Sequence, residues 1–482
     1  MGKLSASTSC QATSSESITD KFSDLPDEVA HLILSFLPFK DLTRLSAVLK
    51  RCRQLYPSVP GLNFIFYEEV KPKPNQDIEM LMSSLDRYFF SRGDHRIQHF
   101  GMNWNLYPNK TVQELSNYHF RLNTWIRNAV RCHVEELDLL IYPAYGFSLP
   151  SCVFLSPYLR SLSVNLAGQI LEVPSLPFSS NIHDLKLFGV NLDERFFQWI
   201  SCSCKCIKKL DLHIMTDTQN ITIESSSLEH LHVLIFRDLH LNISCEKLET
   251  IEINLGPERH RATSSNSLKI FAPNLKNLQC IGSPWGSQNL GKLMSLEKVE
   301  LFLKPRPNEI DNVFEALCSI CWARVLHISK DTIKALFKEG SMAAPILDNI
   351  CNLRIHCTTL EDDLVPAVVS LLRGMPNLNS LSIRTVKGPW NPEPSSGFGT
   401  EYWKLQNLAF LHQLQEVTVQ YSGHGSNEIE FSTYSTEYWK LQNLKKIAIF
   451  LGSEDEQSEA AAGMVSRNKM ISTATIIIRR RE

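Results

Sequence analysis

One short phrase, apolar-x-x-apolar-x-apolar, recurs along most of this 482-residue chain and limits what it can become. Its central anchors are Leu137, Leu162, Leu185, Leu210, Leu231, Ile251, Leu278, Val299, Leu326, Leu353, Leu381, Val417 and Ile447. From Leu137 to Ile447 is 310 residues in twelve intervals, a mean of about 26, as expected of short stacked repeats. A weaker copy precedes them at Ile97, Phe100 and Met102. Each phrase predicts a strand whose alternate side chains enter one core. No unit of this size covers its own apolar face, so successive units must stack. The expected fold is an α/β solenoid: a curved, irregular horseshoe with a parallel sheet on its concave side. Its returns would run as helix, 3-10 turn or loop, the best helical candidates being Val313 to Ile320 and Leu364 to Leu372. A doubly wound α/β sheet also repeats its strands, but it needs longer and more regular amphipathic helices than these polar returns supply.

Within each phrase, the residue between the last two apolar positions points away from the core. That column reads Asp138, Ser163, Lys186, Asp211, His232, Glu252, Gln279, Glu300, His327, Arg354, Ser382, Thr418 and Ala448. All but Ala448 are polar, between apolar neighbours, as in a surface that lines the inside of a solenoid. Any wet strand is polar on its outer face, so the column locates a surface without naming a ligand. Asp138, Lys186, Asp211, His232, Glu252, Glu300, His327 and Arg354 are the candidate partner-binding residues. Asp211, Glu252 and Glu300 give the middle an acidic cast, which a basic or polar partner would complement.

Ahead of the repeats, residues 1–20 are rich in Ser and Thr with almost no large apolar groups, and read as a disordered arm. Residues 21–64 read as a small helical head. After Pro26, Val29, Leu32, Ile33, Phe36 and Leu37 form the stripe of an amphipathic helix. Pro38 stops it, and a second helix carries Leu42, Leu45, Val48 and Leu49. So short a segment cannot cover all its apolar residues, so the remainder must face the rest of the chain or another protein. Residues 65–133 read as a linker and first cap, 134–395 as the repeats, and 396–482 as a closing unit. In the last, Thr400 to Leu408 recurs letter for letter at Thr436 to Leu444, an offset of 36.

The order Leu25-Pro26-Asp27-Glu28, Ile33-Leu34-Ser35-Phe36-Leu37-Pro38 and Lys40-Asp41-Leu42 resembles an F-box. The repeats resemble leucine-rich repeats. Gly425 to Phe431, Asn443 to Ile447 and Lys469 to Ser472 resemble the FBD segment of plant F-box/leucine-rich-repeat proteins. That family usually carries a tryptophan in its third F-box helix, where this chain has Cys52. The resemblance implies a substrate-recognition subunit of an SCF-type cullin–RING ubiquitin ligase. Its head would dock a Skp-type adaptor, and through it cullin and RING subunits, while its repeats would hold a target protein. Leu25, Pro26, Ile33, Leu34, Leu37, Pro38, Leu42, Leu45 and Val48 are the residues expected at the adaptor. The competing reading is a leucine-rich-repeat scaffold, outside any ligase, whose F-box has degenerated.

Catalysis has no visible basis in the sequence. It lacks GxGxxG, GxxxxGK[ST], HExxH and GxSxG. His230 and His232 share a strand face and His356 sits similarly, but polar residues on a wet sheet explain them without a metal. Cys318 and Cys321 form one CxxC with no second pair nearby, and Cys202, Cys204 and Cys206 read as one buried strand face. Asp362-Asp363 reads as solvated charge. No catalytic residue, metal or cofactor is expected. A net charge of −2 gives no field for nucleic acid or anionic membrane, and no apolar run reaches the ~18 residues of a spanning helix. Thirteen cysteines without an apolar leader are expected to be reduced thiols, in the cytoplasm and/or nucleus.

Overall fold

The structure, a computed structural model, describes residues 22, 24–67, 75–105, 111–142, 146–174, 178–214, 218–256, 266–336, 346–358, 360–385, 398–406, 408, 413–420, 427, 431, 446–451 and 475–480. The Ser/Thr-rich arm and the second copy of the nine-residue phrase lie outside them. So do most of the FBD-like segments.

Among the described residues, sixteen strands form one open parallel sheet that follows chain order, from Gly61–Tyr67 to Thr475–Arg480. The repeat anchors stack in register: Leu210 lies beside Leu231, Leu231 beside Ile251 and Ile251 beside Leu278. Twelve of the thirteen anchors are buried, and the backbone of Ile447 pairs with Val417 as the register requires. A parallel strand must be followed by a crossover before the next can pair. Among the described residues, the crossovers carry helices and short strands whose apolar residues close the core behind the sheet. The result is an open solenoid, as the repeat period predicts.

The sheet begins at Gly61, within the stretch read as head, and takes in His99–Asn105, the weaker copy noticed in the sequence. Helices α1 (Asp27–Ser35) and α2 (Phe39–Val48) sit against its first strand, and α3 (Lys50–Leu55) packs on both of them. Helices α4 (Asn75–Arg92) and α5 (Val112–Arg131) form the first returns. The Phe39 ring lies 5.6 Å from Phe64 on the first strand and 5.7 Å from Tyr88 on α4, so the head and the solenoid share one core. Arg92, almost wholly buried, ties the seam. It donates to the carbonyls of Val59 at 2.7 Å and His95 at 2.9 Å, and also to the Tyr88 hydroxyl and the Arg96 carbonyl. A buried guanidinium is tolerated only when its donors are satisfied in this way.

The returns differ along the chain. Glu194–Ser203, Ile310–Ser319, Lys330–Leu336 and Leu364–Arg373 are helical, the second and fourth where the sequence suggested. In the middle, Asn220–Glu224, His240–Ser244, Ser267–Phe271 and Ser287–Asn289 instead form a second, four-stranded parallel sheet. Ile221 and Ile223, Leu241 and Ile243, and Leu268 and Ile270 alternate with polar residues and are buried. That period of two selects strand over helix in these returns. Gly282 shows how closely adjacent coils approach: its φ is +104°, and a Cβ there would collide with the Leu255 carbonyl.

Two readings are corrected by the placement of side chains. Cys202 is exposed and Cys204 buried at the end of the Glu194–Ser203 helix, so the alternating cysteines share no strand face. Burial pushes the Cys204 thiol up to about 12, leaving it protonated and inert. Asp362 and Asp363 are not merely solvated. Asp362 accepts from Asn427 Nδ2 at 2.8 Å, and Asp363 pairs with Lys334 at 2.7 Å. Asn427 also donates to the Leu360 carbonyl at 2.7 Å and accepts from the Phe398 amide at 2.7 Å, clipping the closing unit onto the repeats.

A test of the stacked core is Leu231→Ala, which leaves a void between two neighbouring anchors. Such truncations cost about 2–5 kcal/mol. Urea unfolding followed by circular dichroism should show a clear fall in midpoint. The same change at exposed Leu32 should stay within about 0.5 kcal/mol of the wild type.

Candidate functional site

Two surfaces stand out, one on the head and one along the sheet. On the head, Pro26 precedes the first turn of α1 and Asp27 and Glu28 occupy that turn, where carboxylates favour the helix dipole. Arg51 of α3 donates to Asp27 Oδ1 at 3.0 Å and to the Leu25 carbonyl, fixing the start of α1 against α3. The inner face of the head then carries Ala30, Leu34, Phe39, Leu42 and Cys52, all buried.

The outer face is unlike an ordinary helix surface. Val29, Leu32, Ile33 and Phe36 follow one another at i, i+3, i+4 and i+7, and all are exposed, Phe36 at 76%. Val48, at the end of α2, is 79% exposed. Removing such side chains from water would be worth about 1.5–3 kcal/mol each. The structure therefore divides the residues expected at the adaptor. Leu34 and Leu42 lie in the intramolecular core and offer nothing outward, because α1 and α2 turn them onto the first strand. Pro26, Ile33, Pro38 and Val48 are exposed, while Leu25, Leu37 and Leu45 are half-buried. Val29, Leu32 and Phe36 belong with the exposed set. Their helical spacing was the signal.

Along the sheet, the polar column becomes a continuous ladder. Asp138 lies beside Ser163, Ser163 beside Lys186, and Lys186 beside Asp211. The register runs on through His232, Glu252, Gln279, Glu300, His327 and Arg354 to Ser382. Asp138 and Lys186 are exposed, the middle is half-buried, and His327 and Ser382 are buried.

The acidic middle expected from sequence is largely neutralised. Asp211 Oδ1 meets His232 Nδ1 at 2.6 Å, and Asn254 Nδ2 lies 3.0 Å from His232 Nε2. The hydrogen bond to Asp211 raises the His232 pKa in spite of burial. Glu300 Oε1 is 2.6 Å from Lys298 Nζ and 3.1 Å from His327 Nδ1, and its Oε2 accepts from Gln279. Burial works to raise the Glu300 pKa, but the Lys298 hydrogen bond and charge outweigh it and hold the carboxyl low. Burial, reinforced by Arg354, lowers His327 to about 4. At neutral pH this contact is thus a neutral imidazole donating from Nδ1 to a carboxylate, not an ion pair. Of the three acids, Glu252 alone makes no ion pair among the described residues.

A second outward-facing column, two residues further along each strand and half-buried except at Arg384, was not read as a column from the sequence, although His356 was noticed singly. It includes His213, Asn254, Phe302, His356 and Arg384, and strand period two was the available signal. Asp211, His213 and His232 bring three ligand-type atoms within 4.8 Å of one another, a separation that a metal ion could bridge. The Asp211–His232 hydrogen bond satisfies two of them without an ion, and the His213 ring stands edge-on to Phe188 at 4.3 Å. Arg354, His356 and Arg384 give the far end a basic character.

The sign of the His327 shift makes a test. Its folded pKa lies below the ordinary value, so the unfolded chain binds more protons between about pH 4 and 6.5. Stability should therefore fall as pH drops through that window. His327→Gln should flatten this part of the pH profile of the unfolding midpoint, read against Glu300, Lys298, Arg354 and His356 left in place. For Asp211→Asn, the His232 pKa should move down, as followed by NMR titration of the ring.

The comparisons with known proteins agree with this architecture. A family model described as F-box-like matches residues 22–56. A second, for the LRR repeats of the FBD-associated F-box protein At5g56370, matches residues 122–301. The Arabidopsis thaliana "F-box protein At3g03040" is 27% identical over 381 residues, covering 75% of each chain. The Arabidopsis "Putative F-box/FBD/LRR-repeat protein At4g03220" is 24% identical over 453 residues, 85% of this chain and 84% of its own. The Arabidopsis "F-box/LRR-repeat protein At3g58900" is 28% identical over 340 residues, 66% of this chain and 96% of its own. With matches to an F-box-like head and to FBD-associated repeats, the chain is similar to the Arabidopsis F-box/FBD/leucine-rich-repeat proteins.

Proposed function

We propose that this chain is the substrate-recognition subunit of an SCF-type cullin–RING ubiquitin ligase. The observation that carries the reading is the exposed stripe Val29, Leu32, Ile33 and Phe36 on α1, with Val48 exposed on α2, inside the F-box-like segment. Its opposite face is fixed to the solenoid, so the stripe faces outward on a rigid base. A Skp-type adaptor would cover it, bringing cullin and RING subunits, and the ladder on the sheet would hold the target. The chain then supplies proximity and orientation and is not itself an enzyme. It would act in the cytoplasm and/or nucleus. Cys52 in place of the family's tryptophan is buried beneath α1 and α2 and leaves the outer stripe intact, which favours this reading over a scaffold with a degenerate F-box.

The test is capture of purified Skp-type adaptor on the full chain. Ile33→Asp and Phe36→Asp should each weaken capture by tenfold or more, since a charge must be buried or the contact given up. Thermal unfolding of the variants should match the wild type, both side chains being exposed. Undiminished capture by both variants would refute the docking surface.

A further inference from the structure

Toward the C-terminal part of the sheet lie two arginines close together, with only Glu300 among the described acids acting on one of them at a distance. Arg354 and Arg384 project from adjacent strands, one residue pair apart diagonally, because Arg354 is opposite Ser382 and His356 is opposite Arg384. Strand spacing and rise place the two backbone positions about 8 Å apart. Neither guanidinium makes an ion pair among the described residues. The Arg354 Nε and the His356 Nε2 are both buried without a hydrogen-bond partner. Buried polar nitrogens are normally satisfied, so two orphans beside two like charges mark a missing acceptor.

The acids nearby do not fill the role. Glu300 is held by Lys298, His327 and Gln279. Glu361 is held by Lys330 and Lys334 on the return side. Burial and the Arg384 charge work against the Arg354 cation, and burial with both arginines works against protonation of His356. A bound anion would relieve each of these penalties. Ser382, opposite Arg354 and on the same strand face as Arg384, is small and adds no charge of its own.

We infer that Arg354, Arg384 and His356 form a cradle for carboxylates of an acidic, extended segment of the bound protein. The geometry favours such a segment over a compact anion. The pair is spread along an open sheet and does not converge on one point, and alternate side chains of an extended peptide recur at about 6.6 Å, close to the arginine spacing. Charge complementarity here sets orientation: acidic residues at the Arg354 end, with the segment running along the ladder. This rests on the reading of the sheet as the target-holding face.

The test uses the purified full chain and a fluorescein-labelled hexaglutamate peptide, read by anisotropy at low salt. Saturable binding is expected. It should weaken tenfold or more in Arg384→Gln and in Arg354→Gln, and fall as salt is raised. Lys247→Gln, an exposed lysine on a return away from the ladder, should bind as the wild type does, and labelled hexalysine should not bind. Arg384 is exposed, so its replacement leaves the core untouched if Arg354→Gln should prove unstable. No saturable binding, or equal binding by Arg384→Gln and wild type, overturns the inference. So does inorganic phosphate that binds where hexaglutamate does not. Loss of adaptor capture with hexaglutamate binding intact would instead remove the ligase reading and leave the cradle standing.

Discussion

A single constraint underlies the whole molecule: each strand has an apolar face that only its neighbours can cover. Leu231 is buried because Leu210 and Ile251 lie on either side of it in register. The same parallel register that stacks these side chains also stacks the polar ones between them, since successive residues on a strand face opposite ways. Core and ladder are therefore two readings of one hydrogen-bonding pattern. A slip of one residue would exchange them, and the burial of every described anchor holds the register against it.

The head depends on that sheet as much as the repeats do. Three short helices could not hold a core alone, and they do not try to: Phe39 packs on Phe64 of the first strand and on Tyr88 of the first return. Arg92 then binds carbonyls on both sides of the seam, those of Val59, His95 and Arg96. Because the inner apolar residues of the head are consumed by this junction, those left outside are few and contiguous. The exposed stripe on α1 is what remains after the solenoid has taken its share.

The repeat period made the sheet legible, since apolar anchors spaced about 26 residues apart have few other uses. The outer column was legible for the same reason. What the sequence could not supply was anything that depends on how coils meet. The period marks Leu34 and Phe36 alike as apolar, yet one is core and the other solvent-facing, and only the first strand decides which. Asp211 and Glu300 look like bare acids in a string, but strand pairing sets His232 and His327 beside them. The middle returns looked polar because their buried residues, such as Ile221 and Ile223, are only two per segment. Asp362 finds Asn427 across 65 positions of chain, a distance no local pattern encodes.

The uninterrupted sheet also has a metrical consequence. Twelve strands, from Gly61–Tyr67 to Asn352–Cys357, separate the head from the basic end of the ladder. At about 4.8 Å per strand, that is roughly 50 Å along the arc. With a shared core at one end and parallel pairing from strand to strand, interrupted only by register shifts at Asn165/Gln169 and Leu187/Val190 among the described residues, the path is one continuous sheet. The chain behaves as a gauge of set length. Whatever rests on the ladder is held at an offset counted in strands, and inserting or deleting one coil would change that offset by a single strand's width while leaving both ends chemically intact.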